Sequence, residues 1–71
     1  MKISVKTRFN AAKQNIEKFG NNKYLMYLPF PEDEEAIGLL KEVLSKYLGV
    51  PVNRIDYAGQ DFYKDKIFEV M

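Results

Sequence analysis

The chain has 71 residues, which leaves room for one hydrophobic core, because a chain of this size buries only roughly 60% of the surface exposed on unfolding. With 46% hydrophobic and 30% charged residues its composition is that of a globular protein, and a formal charge of +1 provides no overall attraction to nucleic acid or anionic lipid. We therefore expect one small soluble domain over residues 1–71.

The chain contains neither cysteine nor histidine, which excludes several kinds of site. Without cysteine there is no disulfide and no thiolate nucleophile or metal ligand. Without histidine the commonest zinc ligand and the usual proton shuttle at neutral pH are missing. Neither of the glycine patterns that bind nucleotide phosphates is present. We therefore predict a non-enzymatic protein with no catalytic residue, no cofactor and no metal.

The amino-terminal residues indicate a cytoplasmic location. Residues 1–6 alternate between apolar and polar side chains and so lack the apolar run of a signal peptide. No segment reaches the roughly 20 apolar residues that cross a bilayer. The expectation is a cytoplasmic protein without membrane contact.

The first predicted strand lies at the start of the chain. Its apolar set alternates with a polar set: Ile3, Val5, Thr7 and Phe9 against Lys2, Ser4, Lys6 and Arg8. A period of two predicts one buried face and one solvent face. Residues 10–22 hold turn formers, with Ile16 and Phe19 as isolated apolar residues. They predict a long connection that ends in a tight turn at Asn21 and Asn22.

The second predicted strand, residues 23–30, is apolar on both of its faces. One face carries Tyr24, Met26, Leu28 and Phe30, and the other carries Leu25 and Tyr27. Composition does not decide which face is buried. Prolines at 29 and 31 lack an N–H donor, so the strand is expected to end there.

A helix is predicted from Ala36 to Leu48. Its apolar residues fall on one side of a helical wheel, Gly49 is a suitable left-handed stop, and Pro51 prevents continuation. The acidic run 32–35 is expected to complement the helix dipole, with Asp33 accepting from first-turn amides, and not to bind a metal.

Two further strands are expected after the helix, at residues 52–58 and 66–71. The sequence thus predicts an α+β fold with two layers in the order β-β-α-β-β, in which one helix covers one face of a four-stranded, mostly antiparallel sheet. The loop between the last two strands carries Phe62 and Tyr63 beside lysines, an arrangement found in single-strand binders. Aspartates at 61 and 65 favour an ordinary connection in which Phe62 or Tyr63 packs against the core.

This order of elements resembles the YggU-like family, a group of small proteins of unknown function. The resemblance runs from Ile3 to Val70 and rests on Pro31 before a helix that starts at alanine, on Leu-Gly-Val-Pro at residues 48–51, and on a glycine-then-lysine loop before the last strand. It implies a two-layer fold without an established reaction.

Two short motifs carry the comparison with this family. In the loop, Gly59 and Lys66 match the family's glycine and lysine, and Lys64 stands for its arginine. At the start of the helix the family reads Gly-Lys-Ala-Asn, and this chain keeps only Ala36 of that motif. The resemblance does not imply a ligand.

The leading hypothesis for function is contact with another protein. The second strand has two apolar faces, so whichever face stays exposed is a candidate contact patch. The candidate residues are Leu25 and Tyr27 on one face and Tyr24 on the other.

Two alternatives stay open. The first is weak binding of RNA or DNA through basic residues of the first strand and of the last loop: Lys2, Lys6, Arg8, Lys64 and Lys66. The second is an enzyme with an unrecognised site built from lysine, tyrosine or aspartate. The sequence fixes neither the oligomeric state nor the partner.

Overall fold

The computed structural model describes every residue from Met1 to Met71. It contains five strands and one helix, with these bounds: β1 Lys2–Arg8, β2 Asn15–Gly20, β3 Lys23–Tyr27, α1 Ala36–Leu48, β4 Ile55–Gln60 and β5 Lys66–Val70. A single 3₁₀ turn, Val52–Arg54, precedes β4.

All five strands belong to one sheet in the order β2-β3-β1-β5-β4, with β1 in the centre. The β1–β3 pair is parallel, and the other three pairs are antiparallel. The α+β class with one helix is therefore confirmed. The predicted count of four strands is wrong, because the sheet has five strands. The sheet is mixed, with most of its pairs antiparallel as predicted.

The additional strand, β2, lies within residues 10–22, where the sequence predicts only a connection. β2 is an edge strand that pairs with β3 alone. Of its residues, Ile16 packs against the core, whereas Phe19 lies at an irregularity in the pairing and is exposed. An edge strand with one core contact has little alternation to detect. The predicted tight turn is present, and Asn22 adopts a left-handed φ of 58°.

The core lies between the sheet and α1, and the buried face of β3 is the one that carries Tyr24. Tyr24, Met26 and Leu28 lie in the core, while Leu25 and Tyr27 are half-buried on the face that the helix does not cover. Tyr24 is only 5% exposed and packs edge-to-face on Tyr47 of α1, with ring centroids 5.8 Å apart. Its inclusion in a surface contact patch is therefore a mistake of the sequence interpretation.

The helix has the predicted bounds. Ala36, Leu40 and Leu44 are buried along one side, as the wheel indicates. Gly49 ends the helix with a φ of 72°, and its N–H donates to the Ser45 carbonyl at 2.9 Å. This left-handed conformation is one that glycine adopts without a side-chain penalty.

The acidic run, residues 32–35, precedes the helix, as the predicted helix bounds imply. No acidic residue lies in the first turn, and no side chain caps the helix. Asp33 Oδ1 accepts from the Glu35 N–H at 2.9 Å, and the Asp33 carbonyl accepts from the Ala36 N–H at 3.1 Å. Asp33 thus stabilises the turn that leads into the helix, which corrects the predicted first-turn role.

Truncating Leu40 tests this packing. Leu40 is fully buried, so Leu40→Ala is expected to lower the free energy of unfolding by about 2–5 kcal/mol. Leu39→Ala is the matched control, because Leu39 is exposed at the neighbouring position, and a change within about 1 kcal/mol is expected there. Urea denaturation of both variants provides the measurement. Equal losses at the two positions would contradict the described orientation of the helix.

Candidate functional site

A cleft forms at the end of β1, where the pairing of β1 with β5 stops before its pairing with β3 does. The β1–β5 ladder stops at the pair Val5 and Lys66, whereas the β1–β3 ladder continues to the pair Arg8 and Tyr27. Residues 61–65, which lead into β5, form a loop that does not pair with β1 beyond Val5. The end of β1 therefore has a strand neighbour on one side only.

The open edge of β1 presents backbone groups as well as side chains. Ser4 N–H donates to the Asn22 carbonyl, and the Arg8 carbonyl accepts from the Leu28 N–H. Asn22 and Leu28 flank β3, so the backbone groups of the even-numbered residues of β1 face the β3 side. Backbone groups alternate in direction along a strand, and the odd-numbered residues therefore face β5. Thr7 is the first odd residue beyond the last β5 pair, so its amide faces the cleft.

The cleft has a volume of about 480 Å³, within the usual range for small-ligand sites. Its lining comes from the end of β1, from Glu32, and from the β4–β5 loop with the residues that flank it: Lys6, Thr7, Arg8, Phe9, Glu32, Gln60, Tyr63, Lys64, Asp65 and Lys66. Four of these side chains are cations and two are carboxylates. The lining thus has an excess of two positive charges, whereas the whole chain carries +1.

Lys66 lines the cleft and is buried. It shares the parity of Phe68 and Val70, so its side chain lies on the helix side of the sheet, where only 3% of the residue is exposed. Its Nζ donates to Glu32 Oε2 at 2.9 Å and lies 5.5 Å from the centroid of the Phe9 ring. A buried ammonium needs a partner of this kind, because unpaired burial of a charge is costly.

The loop above the cleft, residues 61–65, is held by its own hydrogen bonds. Asp61 Oδ1 accepts from the Tyr63 N–H at 2.9 Å and from the Asp65 N–H at 3.0 Å. Asp61 N–H donates to the Asp65 carbonyl, and Lys64 N–H donates to the Asp61 carbonyl, each at 3.0 Å. Lys64 takes a left-handed φ of 65°, which is uncommon for a residue other than glycine.

This loop leaves its two aromatic rings in solvent. Phe62 is 93% exposed and Tyr63 is 78% exposed, and their ring centroids lie 5.6 Å apart in an edge-to-face arrangement. The expectation that one of them packs against the core is therefore wrong. Tyr63 contributes to the cleft lining, so an exposed aromatic surface adjoins the cationic cleft.

Four of the five basic residues predicted for nucleic acid binding line the cleft: Lys6, Arg8, Lys64 and Lys66. Lys2 lies at the opposite end of β1, directly across from Glu69 on β5. Glu69 also pairs with the amino terminus at 3.3 Å and lies across from Asp56. Lys2 is thus in an acidic environment outside the cleft.

The uncovered face of the sheet adjoins the same cleft. In the β1–β3 register, Leu25 lies beside Lys6, and Tyr27 lies beside Arg8. Both apolar side chains are half-buried. The two remaining residues of the predicted protein contact therefore share a face with two of the cleft cations.

Glu32, Gln60 and Tyr63 are cleft residues that the sequence interpretation does not assign to a site. The aromatic and basic composition of the last loop is a signal for Tyr63. For Glu32 no local signal exists, because it lies 34 residues from its partner Lys66.

No family model matches the chain, and no solved structure matches it. The one helix is neither long enough nor apolar enough to span a membrane. We accordingly infer the function from the geometry of the cleft.

Removing the Asp61 carboxylate tests whether it orders the loop. Asp61→Ala removes two hydrogen bonds worth about 1 kcal/mol each, so the Tyr63 and Asp65 amides are expected to exchange with solvent at least about tenfold faster. Hydrogen exchange followed by NMR measures this rate. Asp65→Ala is the control, because it removes a nearby carboxylate but keeps both bonds to Asp61. If exchange were unchanged in Asp61→Ala, this side chain would not be what holds the loop.

Proposed function

We propose that the protein binds a single strand of RNA or DNA in and above the cleft. The observation that carries the proposal is a pair of exposed aromatic rings, Phe62 and Tyr63, of which Tyr63 lines a cleft with excess positive charge. Single-strand binders combine these two features, because cations neutralise the phosphates and aromatic rings stack on bases of any sequence.

The cations are suited to phosphate contact. Lys6, Arg8 and Lys64 are all exposed, so their charged groups are available to a ligand. Arginine offers two parallel N–H donors to a phosphate, and lysine offers a mobile point charge. The Thr7 amide adds a backbone donor of the kind that fixes phosphates in register.

The aromatic rings are suited to stacking because the loop is fixed before a ligand arrives. Asp61 orders the backbone that carries Phe62 and Tyr63, so less ordering is needed on binding. Tyr27 lies beside Arg8 on the uncovered face and extends this surface away from the loop. A nucleic acid strand that leaves the cleft along β1 would contact Tyr27.

A second candidate function is contact with another protein through Leu25 and Tyr27. Their half-buried position on a sheet face without a covering helix supports it. Nucleic acid binding is the stronger proposal, because Tyr24 lies in the core and the two other residues adjoin Lys6 and Arg8. An enzyme is the remaining alternative, and the chain supplies neither His nor Cys for such a site.

Membership of the YggU-like family and a cytoplasmic location are also proposals. The family proposal rests on the short sequence motifs described above, among them Gly59, Lys64 and Lys66 in the last loop. The cysteine-free composition supports a reducing compartment.

Charge removal in the cleft tests the phosphate contacts. Lys6→Ala and Arg8→Ala are each expected to weaken binding to single-stranded oligonucleotides of all sequences and to reduce the slope of log K against log salt by about 0.7. Fluorescence anisotropy at several salt concentrations measures both quantities. Lys2→Ala removes the same charge outside the cleft and is expected to leave the slope within error of the unsubstituted protein. A slope that changes equally at all three positions would refute a localised site.

Removal of each loop aromatic tests base stacking. Phe62→Ala and Tyr63→Ala are each expected to reduce the binding free energy by about 1–3 kcal/mol, the contribution of one stacked base. Phe19→Ala is the control, because Phe19 is also exposed but lies on β2. The same anisotropy titrations at fixed salt suffice. Undiminished affinity in both loop variants would mean that the rings do not contact the strand.

A further inference from the structure

One cation of the cleft differs from the others. Lys66 is 3% exposed, whereas Lys6, Arg8 and Lys64 are exposed. An ammonium has three N–H donors, and the Lys66 ammonium uses one of them on Glu32, at 2.9 Å. The cleft lining therefore includes one largely desolvated cation that has N–H donors to spare.

Glu32, the partner of Lys66, has no other hydrogen bond or ion pair that holds its carboxylate in place. The Glu32 side chain is 59% exposed, and its contact with Lys66 is the one hydrogen bond that Glu32 makes. Glu32 belongs to no helix or strand, since it lies between β3 and α1. A stronger anion at Lys66 could displace this carboxylate into solvent without breaking any other hydrogen bond of Glu32.

We propose, on the basis of the nucleic acid function above, that Lys66 is the subsite for a terminal phosphate of the bound strand and that Glu32 occupies this subsite in the free protein. The ligand class is thus a single strand with a phosphate monoester at its end. A terminal monoester carries about −1.5 to −2 charges and three acceptor oxygens at neutral pH, so it competes with a carboxylate better than an internal diester does.

The position of Lys66 supports the same preference. An end of a strand enters a cleft with its phosphate first, whereas an internal phosphate is flanked by sugars on both sides. The exposed cations Lys6, Arg8 and Lys64 then remain available for the internal phosphates that follow. The buried cation and the exposed cations thus contact chemically different phosphates.

The first test uses the unsubstituted protein and one oligonucleotide sequence with three kinds of end: a 5′-phosphate, a 3′-phosphate, or hydroxyls at both ends. At least one phosphorylated form is expected to bind about tenfold more tightly than the hydroxyl form, the difference that a charge-assisted hydrogen bond makes. Equal binding of all three overturns the terminal-phosphate subsite but leaves the proposed function intact. If none of the three binds, the proposed function itself fails.

Free phosphate and a nucleoside monophosphate distinguish the end group from the strand. Each is expected to compete with the phosphorylated oligonucleotide and to reduce its affinity towards that of the hydroxyl form. Competition of the same strength against the hydroxyl form would overturn the proposal, because the competitor would then act on the exposed cations.

The second test changes Glu32. Glu32→Gln is expected to tighten binding of the preferred phosphorylated end about tenfold, because the competing carboxylate charge is gone. It is expected to change binding of the hydroxyl form by less than about twofold. Glu34→Gln is the matched control, since Glu34 has the same charge and lies in the same acidic run but makes no side-chain contact with Lys66.

Two outcomes of this second test overturn the subsite. One is an equal effect of Glu32→Gln and Glu34→Gln, which indicates long-range charge alone. The other is an unchanged preference for the phosphorylated end in Lys66→Met, a variant that fills the buried position without the ammonium. A thermal melt checks that each variant is folded, and Glu32→Ala, which also removes the carboxylate charge, replaces Glu32→Gln if the latter unfolds.

Discussion

The central position of β1 is the constraint on which the rest of the structure depends. The β2–β3 hairpin pairs with one edge of β1 and the β4–β5 hairpin pairs with the other edge. The two hairpins therefore belong to one sheet only because both pair with β1. Its odd residues lie under the helix, and its even residues lie on the uncovered face. Because the two ladders have unequal lengths, the same strand also creates the cleft.

The elements that could be predicted are those in which one local pattern decides the structure. β1 alternates strictly, and α1 combines a helical apolar stripe with Gly49 at its end, so both were predictable within about a residue. Which face of β3 is buried could not be predicted, because the side chains on both of its faces are apolar. That choice follows from pairing with β1, which places Tyr24 beside Val5 under the helix. Register is a tertiary property that a single strand does not encode.

Some features of the candidate site could likewise be predicted from local sequence, and others could not. The basic residues of the first strand and the last loop could be collected from the sequence, and most of them do converge. The exposure of Phe62 and Tyr63 could not be predicted, because it depends on Asp61 closing the loop over its own backbone. The burial of Lys66 did have a signal, since it stands two and four residues before Phe68 and Val70 on one face of a strand. Its pairing with Glu32 had none.

The small formal charge of the chain is consequently a poor guide to its surface. Lys2, Glu69 and Asp56 form a mixed cluster at one end of β1, and the cleft cations gather at the other. Lys2 and Lys6 are four residues apart, about 13 Å at the rise of a strand. Salt screens exposed charges over about 8 Å at physiological ionic strength, so the acidic cluster cancels little of the potential in the cleft. The charge that a ligand meets is set by the cleft lining and not by the sum over the chain.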